Sequence, residues 1–348
     1  SAAALSHYTQ SDFTAVDCTL GIGHYLAALD EQCTTTTPCH YDCAAALSVS
    51  FTPPHAESVK PPDADATWAL GRMQRASVAV PGVGTVDTTF YRAGAGTVSG
   101  ERYSNPTVLL LHGGDSTCLE WRFVARRLAE TGRDVCAVDW WSGGWTSRAE
   151  ITAAITAGKK PWDCIREHVR AFWQQELGGA PIQLVDTSMG GAVALDFAAT
   201  HPDAVSKLTL VDAGGESYAA PPPDVGSFLA PFCPVILRAQ AFLQPKFGDA
   251  AALGNLHRAS PGWVDAYVAY LASGGYELRV GPDLIRTVPQ PTRVIWGDND
   301  PVLDPGDAEK FSQDLPNCEG VTMVPGGGHS PQLLKVDDVV TELSSWLD

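Results

Sequence analysis

From Ser77 to the C-terminus, short apolar runs alternate with longer stretches in which apolar residues recur every three or four positions. The runs Thr107 to Leu111, Asp134 to Val138, Ile182 to Val185, Lys207 to Val211, Arg293 to Trp296 and Val321 to Val324 are too short for helices. They are continuously hydrophobic instead of alternating, which predicts strands covered on both faces and therefore a parallel sheet between helical layers. Trp162, Ile165, Val169, Phe172, Trp173 and Leu177 recur at helical spacing, as do Val336, Val339, Val340, Leu343, Trp346 and Leu347. Both stripes read as core-packing faces. Upstream, Val78 to Val80, the turn Pro81-Gly82-Val83-Gly84 and Val86 to Tyr91 predict a hairpin. The expected fold class is α/β, a mostly parallel doubly wound sheet with an antiparallel edge, over residues 76–348.

Two stretches break this alternation. Residues 1–75 are rich in Ala, Thr and Pro and show no sheet-like regularity. They read as an N-terminal extension with one helix around Gly21 to Glu31 and an extended linker through Pro53-Pro54 to Pro62. Between the strand ending at Val211 and the strand opening at Arg293, residues 216–288 hold Pro221-Pro222-Pro223, an apolar group around Phe228 and Phe232, and Trp263, Tyr267 and Tyr270. This is long enough for a helical cap over the carboxyl edge of the sheet. Its apolar excess suits two ends, lining a greasy pocket or membrane surface and plain cap-to-core packing.

Composition narrows the partners. With 45% hydrophobic and 18% charged residues, the 348-residue chain can bury a sizeable core. Its net charge of −17 repels phosphate backbones, so no nucleic-acid partner is expected. No uninterrupted apolar stretch reaches the roughly 18 to 20 residues that span a bilayer, so no transmembrane segment is expected. Ser1 in place of Met reads as a processed or trimmed chain. Of nine cysteines, Cys18, Cys33, Cys39 and Cys43 crowd the extension, where disulfides or free thiols are expected over zinc because paired two-residue spacings are missing. The dispersed Cys118, Cys136, Cys164, Cys233 and Cys318 read as small buried hydrophobes.

The candidate chemistry sits at strand ends. Ser188 lies in Val185-Asp186-Thr187-Ser188-Met189-Gly190-Gly191, directly after an apolar run and before a helical pattern. A sharp strand-to-helix turn there lifts the hydroxyl clear of the sheet edge. A serine hydroxyl needs a base to take its proton, and the base needs an acid to hold its tautomer. Asp300, in Gly297-Asp298-Asn299-Asp300, and His329, in Gly326-Gly327-Gly328-His329, follow the next suitable strands in the chain order Ser, Asp, His. Asp212 also follows a strand and is the substitute acid, whereas Asp298 reads as a loop acceptor. The backbone N–H groups of Gly114, in Leu111-His112-Gly113-Gly114-Asp115, and of Met189 are the expected oxyanion donors. No metal or organic cofactor is required.

These residues resemble the α/β-hydrolase superfamily over about residues 76 to 348. The stretch Leu110 to Arg122, reading Leu-Leu-His-Gly-Gly-Asp-Ser-Thr-Cys-Leu-Glu-Trp-Arg, is similar to the plant and algal chloroplast α/β-hydrolases, with support from Ala137-Val138-Asp139-Trp140-Trp141, Leu210-Val211-Asp212-Ala213 and Ser273-Gly274-Gly275-Tyr276. The resemblance implies a serine hydrolase of carboxylic esters, with lipid-like, prenyl or pigment esters as substrates and the chloroplast as its compartment.

Two departures stand out. Asp186 replaces the superfamily's usual glycine two residues before the nucleophile. A carboxylate pointing at Ser188 would oppose an oxyanion and raise the imidazole pKa, and one pointing away would brace the turn. After Asp139, Trp140-Trp141-Ser142-Gly143-Gly144-Trp145 replaces a small turn. Trp140, Trp141 and Trp145 would bind a flat apolar substrate if they face the pocket, and would pack against the cap otherwise. Asp186 and the extension also motivate a second expectation, a weak or inactive hydrolase-fold subunit with a binding or assembly role in a larger, photosynthetic complex, contacted through the extension.

Overall fold

The chain folds around one sheet in the computed structural model, which describes residues 48–53, 63–94, 106–141, 143–215, 256–273 and 280–348. Strands β1 (Val49–Ser50), β2 (Met73–Val80) and β3 (Gly84–Ala93) form an antiparallel edge. They are followed by β4 (Val108–Leu111), β5 (Val135–Val138), β6 (Ile182–Thr187), β7 (Val205–Val211), β8 (Thr292–Gly297) and β9 (Cys318–Val324). The spatial order is β1-β2-β3-β5-β4-β6-β7-β8-β9, with β3 antiparallel to β5 and every pair beyond it parallel. Because β5 lies on one side of β4 and β6 on the other, the connections leaving β4 and β6 diverge to opposite sides. That switch point opens a crevice at the carboxyl ends of these two strands.

Continuous hydrophobicity has the meaning expected of it. Leu109, Leu111, Leu184, Leu210 and Val294 point into one apolar cluster, while Val108, Leu110, Val185, Val211 and Ile295 point into another on the opposite face. Helices α4 (Pro161–Glu176) and α5 (Met189–Thr200) cover the first face; α2 (Arg122–Glu130) and α10 (Val336–Trp346) cover the second. Pro161 occupies the first turn of α4, where its missing N–H costs nothing. Cys118, Cys136 and Cys164 are buried free thiols, and burial pushes all three upward in pKa and out of thiolate chemistry.

The compact unit begins before residue 76. It spans Ala44–Asp348 and includes β1 and helix α1 (Ala64–Leu70), both in the stretch expected to be extension and linker. Asp63 caps α1 by accepting from the Ala66 N–H at 2.5 Å. Ala66 and Ala69 are fully buried, and Trp68 meets Tyr91 edge-on with ring centroids 6.0 Å apart. A two-residue strand has no readable period, and the prolines just upstream concealed the helix start. The expected helix at Gly21 to Glu31, the four clustered cysteines and Cys233 lie outside the described residues. So does much of the expected cap, of which the turn Leu256–Ala259 and the helices α6 (Trp263–Ala272) and α7 (Pro282–Ile285) are described. Helices α3 (Ala149–Thr156), α8 (Asp307–Asp314) and α9 (Pro331–Leu334) complete the set used below.

Candidate active site

Ser188 sits between β6 and α5 at φ 52° and ψ −126°, a conformation that side chains other than hydrogen resist. The turn is held by its backbone. The Ser188 N–H donates to the carbonyls of Val211 and Asp212, both at 3.1 Å, and its own carbonyl accepts from Gly191 and Gly214 at 2.9 and 2.7 Å. A Cβ on Gly190 would lie 2.6 Å from the His112 carbonyl oxygen, and one on Gly191 would overlap Ala213. Gly190 thus lets α5 start against the end of β4, and Gly191 lets it pass the segment after β7.

Asp300 and His329 arrive on neighbouring loops that are stitched together. Asp298 accepts from the Gly326 N–H and Asn299 from the Gly328 N–H, each at 2.8 Å. A Cβ on Gly297 would overlap the Gly328 carbonyl, so the first loop needs its leading glycine. His329 Nδ1 lies 2.7 Å from Asp300 Oδ2, and His329 Nε2 lies 3.0 Å from Ser188 Oγ. Asp300 Oδ1 accepts the N–H groups of Val302 and Leu303 at 2.7 and 3.1 Å. A buried carboxylate so fixed accepts a hydrogen bond from Nδ1–H and so keeps the proton on that nitrogen, which leaves Nε2 bare to accept the serine O–H. The hydrogen bonds therefore form one chain from Ser188 to Asp300.

Asp212 does not join it. Its Oδ1 accepts the Gly297 N–H at 2.8 Å and its Oδ2 has no partner among the described residues. Burial pushes its pKa up to about 8, assisted by the charge of Asp300. Asp186 is fully buried on the α5 side of the sheet, with one oxygen 2.9 Å from where a Gly191 Cβ would stand. Among the described residues neither oxygen has a hydrogen-bond partner of good geometry, and burial raises its pKa well above its ordinary value, opposed only by the Val211 backbone. Burial thus disfavours a negative charge on Asp186, whose side chain lies beneath the elbow helix.

Gly114 and Met189 lie against each other: a Cβ on Gly114 would be 3.1 Å from Met189 Cε. The Met189 N–H opens α5 and has no acceptor within that helix. The preceding Gly113 N–H is already taken, donating to Glu120 Oε2 at 2.9 Å. Glu120 Oε1 accepts from Gln332 Nε2 at 2.9 Å, and the same nitrogen lies 3.2 Å from Thr187 Oγ1. Asp115, at φ 52°, takes the Nε2–H of His257 at 2.9 Å, the indole N–H of Trp263 at 3.0 Å and the guanidinium of Arg258. One carboxylate thus fastens the described cap to the loop after β4. Glu120, Gln332 and the cap contacts of Asp115 were not singled out from the sequence, since nothing local marks a contact such as Glu120 to Gln332 or Asp115 to His257 that joins residues more than a hundred positions apart.

The three indoles do not form one wall. Trp140 stacks on His112 with centroids 5.2 Å apart, donating its N–H to the His112 carbonyl at 2.9 Å. Trp141 lies 4.8 Å from Tyr270 of α6, whose hydroxyl reaches Met189 Sδ at 3.4 Å. Trp145 packs on the opposite sheet face with Tyr91 and Trp121. The separation comes from Asp139, which accepts from the N–H groups of Cys118 and Trp145 at 2.6 and 2.9 Å and draws the loop inward. Trp145 also lines a cavity of about 930 Å³ bounded by Arg75, Arg148, Thr152 of α3 and Pro261 of the cap.

A parallel sheet with a strained serine elbow at its switch point, linked to a histidine and an acid from the last two strand ends, defines the α/β-hydrolase class. Residues 106–284 match the family model described as alpha/beta hydrolase fold, and the chain belongs to that family. It is 30% identical over 252 residues to the alpha/beta hydrolase domain-containing protein VTE7 of Arabidopsis thaliana, covering 69% of this chain and 73% of that one. The human monoacylglycerol lipase ABHD6 is 27% identical over 246 residues, covering 65% and 70%. Among solved structures, a thermophilic esterase from Thermogutta terrifontis superposes with a TM-score of 0.61 at 19% identity, covering 79% of this chain and 98% of that one, and shares the fold.

Proposed function

We propose that the protein is a serine hydrolase of carboxylic esters, and the observation that carries this is the unbroken hydrogen-bond chain from Ser188 through His329 to Asp300. Ser188 Oγ attacks the ester carbonyl while His329 Nε2 takes its proton; the same nitrogen then protonates the departing alkoxide, and the acyl group stays on Ser188. Water, deprotonated by His329, hydrolyses that acyl-enzyme and regenerates the serine. Asp300 holds the imidazole in one tautomer and balances its charge. The N–H groups of Gly114 and Met189 receive the carbonyl oxygen as it becomes negative, a contribution typically worth about 10²- to 10³-fold per donor. Each step is proton and acyl transfer between these groups.

A small-molecule ester with a long apolar part fits the surroundings best. Trp141 and Tyr270 stand next to Met189 and give the crevice an apolar wall beside the proposed oxyanion donor. The human relative is named a monoacylglycerol lipase, which supports a lipid-like substrate here. A chloroplast site of action rests on the motif resemblance. The burial of Asp186 beneath α5, which disfavours its charged form, supports the active reading over that of an inactive assembly subunit.

A fluorophosphonate probe tests this directly. It is expected to label the wild type and not the folded Ser188→Ala variant; a well-folded wild type that resists the probe would return the reading to a binding or assembly role. Among p-nitrophenyl esters of rising chain length, kcat/KM is expected to peak at medium or long chains. A preference for acetate would argue against the apolar pocket.

A further inference from the structure

We infer that Glu120 is a positioning residue for the hydrolytic site: its carboxylate occupies the Gly113 N–H so that the next one, of Gly114, is left to face the oxyanion, and it locks the three catalytic loops in register. The inference rests on Ser188 being the nucleophile and Gly114 a donor.

The geometry has three parts. Glu120 Oε2 holds the Gly113 N–H at 2.9 Å, fixing one peptide plane of the two-glycine loop after β4. A Cβ on Gly113 would lie 3.3 Å from Ser188 Cβ, so this plane borders the nucleophile directly. Gly113 is buried and Gly114 is exposed, as expected when the first N–H is satisfied internally and the second is presented to the crevice. Glu120 Oε1 holds Gln332 Nε2 at 2.9 Å, and Gln332 stands in α9 three residues after His329. That same amide nitrogen approaches Thr187, the neighbour of Ser188. One side chain therefore touches the oxyanion loop directly and, through Gln332, the histidine loop and the elbow.

A carboxylate suits this place because both its oxygens accept, and both partners are donors. Two donated hydrogens also spread its charge, which limits repulsion of a nearby oxyanion. An amide can take over only by reversing Gln332, whose Oε1 is buried without a partner. After reversal, Gln332 Oε1 would accept from the new amide nitrogen and from the Thr187 hydroxyl, so the links from residue 120 to the Gly113 loop, to Gln332 and on to Thr187 are kept, with Gln332 Nε2 taking the place in which Oε1 has no partner among the described residues. No such repair exists for Glu120→Ala, which strands the Gly113 N–H and frees the two-glycine loop to rotate.

Wild type, Glu120→Ala and Glu120→Gln are compared by kcat and KM on a p-nitrophenyl ester, by the rate of fluorophosphonate labelling and by hydrogen exchange at the Gly113 amide. The alanine variant is expected to lose about 100-fold in kcat and in labelling rate, with KM within about two-fold and a cooperative unfolding transition retained. Its Gly113 amide should exchange rapidly. The glutamine variant should stay within about five-fold of wild type on all three. Alanine kinetics within about three-fold of wild type, or a protected Gly113 amide in that variant, would overturn the inference while leaving Ser188 as nucleophile. A glutamine variant as impaired as the alanine one would overturn it too. A wild type that is neither labelled nor active would bring down the reading of Ser188, and this inference with it.

Discussion

Two carboxyl groups beneath the elbow make the stability of the molecule depend on pH in an unusual direction. Asp212 is raised to about 8 by burial, and Asp186 is raised well above the carboxylate range by the same cause. In the unfolded chain both ionise near 3.9. Between about pH 4 and about pH 8 the unfolded state therefore sheds a proton that the native Asp212 keeps, so the native state binds more protons. Stability is greatest below the unfolded pKa and falls as pH rises toward 8, by about 1.4 kcal/mol per pH unit for Asp212. Asp212→Asn keeps an acceptor for the Gly297 N–H and has no proton to lose. Urea unfolding at pH 5, 6, 7 and 8 should show the variant gaining on wild type by about that increment per unit. Parallel curves would mean that native Asp212 is ionised. Asp186→Asn should behave with the same sign, and because Asp186 faces α5 its labelling rate should stay near that of wild type.

The elements around the site meet by backbone contact where side chains are smallest. α5 approaches the end of β4 so closely that a Cβ on Gly190 would lie 2.6 and 2.8 Å from the carbonyl oxygens of His112 and Leu111, which are backbone and cannot swing aside. Gly190→Ala is expected to destabilise the fold by about 1–3 kcal/mol and to abolish labelling, because the elbow and the oxyanion loop must separate. Unaltered labelling would show that the approach is looser. Across the crevice, Asp115 is what seats α6: Asp115→Ala removes acceptors from His257, Trp263 and Arg258 together. Hydrogen bonds to a charged group contribute about 1.5–3 kcal/mol each, so the helix should loosen before the sheet does. Hydrogen exchange should then quicken across Trp263–Ala272 while β4 to β7 stay protected. Uniform exchange throughout would assign Asp115 to global stability. These element contacts explain what the sequence displayed and what it hid. The turn between an apolar run and a helical pattern marked Ser188 locally, and glycine-led loops after apolar runs marked Asp300 and His329. The facing of Trp140, Trp141 and Trp145 was hidden, because it follows from Asp139 gathering N–H groups from two loops.

At the scale of the whole chain, legibility tracked the period of each element. Strands β4 to β8 could be read because both faces are largely buried and the apolar runs are continuous, and the outer, partly buried β9 was legible from Val321 to Val324. β1 and α1 could not, since two residues carry no period and a short helix behind prolines resembles a linker. Yet α1 belongs to the core. Ala66 and Ala69 are fully buried, Trp68 covers Tyr91, and Asp63 and Asp65 pair with Arg122 and Arg126 of α2. Two truncations separate the possibilities. A chain beginning at Ala44 retains the whole compact unit and should unfold within about 2 °C of the full chain, where 1 kcal/mol moves the midpoint of a domain this large by about that much. A chain beginning at Arg72 keeps β2 but loses β1 and α1, uncovering Tyr91 and leaving the mostly buried Arg122 without Asp63. Removing a large aromatic contact from a core costs about 3–5 kcal/mol, so this chain should unfold at clearly lower urea concentration or fail to accumulate. If it matched the chain from Ala44 in stability and in labelling, α1 would be an ornament on the sheet edge, and the hydrolase unit would begin where the strand pattern first becomes readable.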